Sequence, residues 1–215
     1  YIRCVLEATL TSIELDDSKG HVDFVKVKRT LGGGFFLVRP KQVVVACGGI
    51  ENARILLANR HQITVGLGNQ HDQVGRYFME HPHTDGEAIV QSSSALAKAS
   101  FYRPFRKNKQ RVWGYFTLPA HVREREEILG FSCVLLRKKT TGGSLAEAIH
   151  HATHQFEGHA NARRSVHLVG TPSEQAPNPE SRITLNETKD ALGVPKINLA
   201  WRLSDIDRKT IVRGH

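Results

Sequence analysis

KQVVVACGGIENARILLANR, residues 41–60, changes its hydrophobic period once, and that change sets the fold class. Gln42 to Ala46 form an apolar, β-branched run. It is too short for a helix and too apolar for a half-solvated strand, so it reads as a buried strand of a parallel sheet. Cys47, Gly48 and Gly49 break the run. From Ile50 the period is helical, with Ile50, Ala53, Leu56 and Leu57 on one face. Glu51 falls in the first turn, where a carboxylate favours the positive end of the helix dipole. Strand, small-residue turn and helix in this order make half of a nucleotide-binding βαβ unit. Glycine at the turn can hold positive φ and bring backbone close to a ligand, while the helix start offers unpaired N–H groups to an anion. An ordinary strand-to-helix turn without a ligand explains the same residues.

The frame around this stretch is that of a mixed, fairly apolar chain. Its 215 residues have room for one domain with an ample core or two modest ones. The formal net charge of +9 favours polyanions, and a solvated basic surface accounts for it without any partner. No run approaches the roughly 20 apolar residues that span a bilayer, so no transmembrane segment is expected. Cys4, Cys47 and Cys133 are odd in number and far apart, which gives neither a disulfide framework nor a CxxC metal signature. The chain starts without methionine inside YIRCVLEATL and stops at TIVRGH just after a helix start, so it reads as an internal fragment.

Upstream of the organising stretch, Tyr1 to Leu15 suggests one or two strands around Ala8 and Leu10, and Asp16 to Gly20 a turn. Val22 to Thr30 alternates cleanly, Gly32 to Gly34 turn the chain, and Phe35 to Arg39 returns as a short strand. A phosphate cradle would need a helix after the glycine triplet, so the triplet is a turn. Downstream, the loop from Ile63 to His83 contains Gly66 and Gly68, but the third glycine of a dinucleotide fingerprint is absent.

Thr84 to Pro172 reads as a second domain whose strands at Glu87–Gln91, Arg111–Leu118, Phe131–Arg137 and Ser165–Gly170 pair in an antiparallel sheet. Ser92 to Ser100 is a loop, and the capping box from Ser144 to Glu147 opens a helix carrying His150, His151 and His154. Strands then follow at Ser181–Leu185 and Ile197–Leu203, and Ser204 with Asp207 caps a last helix.

Several chemistries are set aside on spacing. His81 and His83 flank a proline and share no helical face, and His150 and His154 lack the glutamate of HExxH, so no metal is expected. Ser132 does not sit on a nucleophile elbow, because Val134 stands where the second glycine belongs. FYRPFRKNKQRVWGYF, residues 101–116, interleaves aromatic and basic residues as single-strand nucleic-acid binders do. A basic turn between two strands needs only solvent and no ribonucleoprotein consensus is present, so nucleic acid is the rival partner and not the expected one.

Three blocks in order carry a resemblance. Ala46-Cys47-Gly48-Gly49 with the helix Glu51 to Leu57, then Val74-Gly75-Arg76-Tyr77-Phe78-Met79-Glu80-His81-Pro82, then Glu174 to Leu185 followed by Asp190, Gly193 and Pro195, resemble the middle of a glucose-methanol-choline (GMC) oxidoreductase. Typical members read A-x-G and a Pro-containing helix, then V-G-x-x-L-x-D-H-P, then P-x-S-x-G-x-V-x-L. Here Asn52-Ala53 replaces Ser/Thr-Pro, Glu80 replaces Asp, and Ile183 follows Arg182 without the common glycine. These departures resemble the bacterial sugar- and polyol-dehydrogenase side of the family.

The resemblance implies an α/β (α+β) fold. A partial FAD/NAD(P)-binding Rossmann-like domain spans residues 1–82, and an antiparallel-sheet substrate domain with inserted helices spans 83–203. Residues 204–215 would be a helix returning to the FAD domain. FAD is the implied cofactor: a backbone group of Leu10 contacts its adenine, Ala46, Cys47, Gly48 and Gly49 run alongside it, and His81 lies near the flavin. The implied substrate is a small alcohol or sugar, the electron acceptor is open, and the compartment is left open between bacterial cytoplasm and periplasm. The catalytic histidine of the family lies in a later block that this stretch does not contain, so the chain alone is expected to be inactive.

Overall fold

The computed structural model describes residues 2–88, 105–112, 114–137 and 167–215, which form an α+β arrangement of short helices and antiparallel strands. The chain divides into two compact units, Tyr1–Met79 with Pro177–Arg202, and Glu80–Ala176 with Leu203–His215.

In the first unit, strands β1 (Ala8–Leu15), β2 (Val22–Arg29) and β3 (Phe35–Val38) form an antiparallel sheet in that order. Asp16 closes the first turn by accepting the Gly20 N–H at 3.1 Å. Alternation does the rest: Ile13 opposes Val25 in the register, and both are buried with Ile55 of helix α1 (Gly49–Ala58) and with Leu67. Only one side chain in two along each strand reaches this core. The pairing slips between Leu10 and Ser12, leaving Thr11 as a bulge.

The outer edge of β1 is closed by side chains. Asn59 is 2% exposed; its Oδ1 accepts the Ile13 N–H at 2.7 Å and its Nδ2 donates to the Ile55 carbonyl at 2.6 Å. The Gln62 amide imitates a strand peptide, accepting the Leu15 N–H at 2.7 Å and donating to the Leu15 carbonyl at 2.8 Å.

The hairpin β10 (Arg182–Lys189) and β11 (Pro195–Ala200) completes this unit. Ile183 is buried, its N–H donating to the Gly75 carbonyl at 2.7 Å, and the Phe78 N–H donates to the Ser181 carbonyl at 2.8 Å. Gly75 has φ 86°, and a Cβ there would fall inside contact distance of the Ile183 carbonyl oxygen, so only glycine serves.

The second unit holds a four-stranded antiparallel sheet in the order β4 (His83–Ala88), β9 (His167–Pro172), β8 (Ser132–Arg137), β7 (Phe116–Thr117). A separate hairpin pairs β5 (Phe105–Lys107) with β6 (Gln110–Val112) through Asn108 and Lys109, whose φ values of 50° and 64° suit a two-residue turn matched to strand twist. Helix α2 (Ala120–Glu126) and helix α3 (Asp205–Gly214) belong to the same unit. Asp207, 0% exposed, accepts the Ser204 N–H and the Ala176 N–H, each at 2.6 Å. Thr210 accepts the Leu129 N–H at 2.9 Å and donates to the Ile206 carbonyl at 2.7 Å. Gly214 lets α3 lie directly on the Phe131 ring, which a Cβ would strike.

Several expectations change. Gln42–Ala46 is extended but pairs with no strand among the described residues: Val43 and Val45 pack on the core while Val44 stays 85% exposed. The segment alternates because only one of its faces has something to cover it. The two units also differ from the expected division at residues 82 and 203. The hairpin β10–β11 joins the first unit through α1, and the last helix packs within the second because buried Asp207 and Thr210 find their partners there. Helix α2 was not anticipated, β4 begins at His83 where Glu87 was expected, and the Ser92–Ser100 loop and the helix from Ser144 lie outside the described residues.

Candidate functional site

The turn at the head of α1 is built by one side chain. Asn52 Oδ1 accepts the Cys47 N–H at 2.7 Å, and the Asn52 N–H donates to the Gly48 carbonyl at 2.9 Å, so the helix begins immediately after Gly48. Gly48 sits at φ 89°, a conformation that L side chains avoid. Nothing lies within 4 Å of where a Cβ would stand on Gly48 or Gly49, and Ala46, Cys47, Gly48 and Gly49 are all exposed. An uncovered backbone edge is what a planar cofactor running alongside requires. Leu10 belongs to the same unit; its side chain packs on the core that also receives Val43 and Val45. Strand β1 and the run leading to the glycines therefore share one support.

Behind the turn, charged side chains join segments far apart in sequence. Arg54 on α1 donates through Nη2 to Asp190 at 2.6 Å and through Nε to the Pro195 carbonyl at 2.7 Å. Burial opposes ionisation of Asp190, but the N–H groups of Val194 and Leu192 and the Arg54 guanidinium outweigh it and hold the carboxyl below its ordinary value. Asp72 accepts from Arg182 at 2.9 Å and from Arg76 at 2.5 Å, and these two guanidinium groups, Arg182 first, pull its carboxyl down to about 2. Arg76 also donates to the Pro179 carbonyl at 3.1 Å. Arg182 Nε is buried without a hydrogen-bond partner, held in place by its two terminal nitrogens.

His81 falls in the second unit. Its Nδ1 lies 3.5 Å from Glu80 Oε2, and its ring meets His83 edge to face at 4.8 Å. It lines a cavity of about 430 Å³ together with Arg123, Phe131, Ser132, Ser173 and Glu174. Sequence spacing singled out neither Arg123 nor Glu174; the only local cue was Pro119 opening a charged helix. Cys133 is half-buried, and desolvation pushes its thiol up, away from nucleophilic use.

Among the described residues no group of His, Cys, Asp or Glu is placed to hold a metal, and no helix is long and apolar enough to cross a membrane. In the basic stretch, Arg106, Lys107, Lys109 and Arg111 are exposed on the β5–β6 hairpin, while Phe101, Tyr102 and Trp113 lie outside the described residues. Comparison with protein-family models and with curated proteins finds no match for this chain.

Proposed function

We propose that this chain is the central part of an FAD-dependent oxidoreductase acting on CH–OH groups of alcohols or sugars, of the GMC type. One observation carries the reading. The first of the three blocks that resemble the family and parts of the other two lie in the first unit, with Arg54 of the first bound to Asp190 just after the third and Gly75 of the second bound to Ile183 of the third. The Arg54–Asp190 pair spans 136 residues and supports the reading by tying the first block to the chain just after the third.

The residues present fit one side of the cofactor. Leu10 would offer backbone to the adenine edge, and Ala46 to Gly49 would present an open peptide edge along its length, Gly48 and Gly49 leaving the space that side chains would fill. His81 is the remaining residue of the proposed cofactor-binding set. A Rossmann-like sheet is part of this proposal. When bound, FAD supplies the hydride acceptor, while the protein supplies position and a proton acceptor at the carbinol oxygen. No residue of this chain is assigned that proton.

The test is the visible spectrum of a longer chain bearing the flanking coding sequence. Flavin absorbance that bleaches on anaerobic addition of an alcohol or sugar supports the reading. A colourless longer chain, or flanks lacking a strand-GxGxxG-helix unit and a later histidine block, overturns it. The present chain by itself should be colourless and inactive.

A further inference from the structure

The cavity of the second unit, about 430 Å³, has the size of a small-molecule site. Its chemistry centres on Arg123. This residue is half-buried on α2, and its guanidinium makes no hydrogen bond or ion pair among the described residues. The neighbouring cations are engaged: Arg125 and Arg213 share Glu126, at 3.1 Å and 2.6 Å. Arg123, which lines this cavity and another beside Glu124, Glu127 and Ile206, therefore keeps its N–H donors uncommitted among the described residues.

The rest of the wall is not simply basic. Glu174 accepts the Gly130 N–H through Oε2 at 2.7 Å, which leaves Oε1 as an acceptor. Ser132 and Ser173 donate only long bonds of 3.4 Å, to the Pro172 and Pro82 carbonyls, and their lone pairs remain available. One uncommitted cation suits one oxyanion group, while a carboxylate and hydroxyls among the same lining residues suit ligand hydroxyl groups and disfavour a second anionic group. We propose that this cavity binds a small hydroxylated molecule carrying a single oxyanion group, with Arg123 as its anchor. Flavin binding in the first unit is not needed for it.

Calorimetric titration of the whole chain with glycerate, glycerol 3-phosphate and glycerol tests this, because the three ligands share a skeleton and differ in the anionic group. At least one anion should bind and glycerol should not; the preferred anion identifies the carboxylate or the phosphate as the natural head. Arg123→Gln should weaken binding about tenfold or more, the loss expected for a charge-assisted hydrogen bond, with Arg123→Lys in between. Arg125→Gln should leave affinity unchanged. Since the Arg123 side chain makes no bond among the described residues, its variants should melt like the parent, and Arg125→Gln, which gives up one exposed ion pair, should melt within about 1 kcal/mol of it. The proposal is overturned if neither anion binds, if glycerol binds as well as they do, if Arg123→Gln binds like the parent, or if Arg125→Gln loses as much.

Discussion

The first unit finishes two of its strand edges and leaves a third bare. On β1 the side-chain amides of Asn59 and Gln62 take the Ile13 and Leu15 peptide groups. On β10 the loop backbone at Gly75 and Phe78 takes Ile183 and Ser181. The outer edge of β3 pairs with nothing among the described residues, and Phe35, Phe36, Leu37 and Val38 are all exposed, from 57% down to 39%. Sealing an edge here depends on residues distant in sequence, as with the 46 residues between Ile13 and Asn59, whereas β3 has only its neighbour β2. An apolar edge of this kind is a template for pairing with another chain, restrained by the flanking charges of Arg39 and Lys41.

The contrast can be broken at its strongest seam first. Gly75→Ala forces a side chain into a φ of 86° and against the Ile183 carbonyl. It should cost about 3 kcal/mol or more, combining backbone strain with a buried clash. An unchanged urea midpoint would show that this loop does not seal β10. Asn59→Leu leaves the Ile13 N–H buried without its partner and removes the side-chain bond to the Ile55 carbonyl, for a loss of about 2 kcal/mol; Gln62→Leu, at a half-exposed site, should lose about 1 kcal/mol. Equal losses from the two would deny the difference in burial.

Acid reports on the Asp72 clasp beside β10. Its folded value of about 2 lies below the ordinary 3.8, so its contribution is complete above the ordinary value and is lost as pH falls from about 4 towards 2. Asp72→Asn should flatten that part of the stability profile; a profile parallel to the parent's would remove the clasp from the account. The smallest effect on stability belongs to the bare edge. Leu37→Lys should change the unfolding free energy by no more than about 0.5 kcal/mol, as surface substitutions do, while reducing self-association in sedimentation at high concentration. A large loss of stability there would mean that β3 is covered after all.

Much of the local architecture was legible because it rests on local signals. The alternation of Val22 to Arg29, the glycine turn before Phe35, the helix after Gly49 and the Ser204–Asp207 cap each occupy a few adjacent residues. Assembly was less legible. Nothing in the pattern of Arg182 to Ala200 says that this hairpin joins α1, because the choice is made by Arg54 reaching Asp190 and by Gly75 admitting Ile183. The run Gln42–Ala46 was read as buried on both faces from composition, yet composition counts apolar residues and not the neighbours available to cover them. Of the candidate site residues, Leu10 and Ala46 to Gly49 share the first unit and His81 does not, a division invisible to motif order. Arg123 was overlooked because a cation in a charged helix carries no signal until its neighbours are seen to have spent their counter-ions on others.

The ion pair between Arg54 and Asp190 also sets a clock on biosynthesis. The two residues are 136 apart, and at ribosomal speeds of about 5–20 residues per second helix α1 is made about 7–27 seconds before its partner exists. Through that interval the nascent sheet and helix must persist with the β10–β11 side of α1 uncovered, and every residue of the second unit between Glu80 and Ala176 is synthesised before the first can close. Both units are thus discontinuous in the order of synthesis, the first waiting for Pro177–Arg202 and the second for Leu203–His215, and the helix that carries the glycine turn waits with its unit.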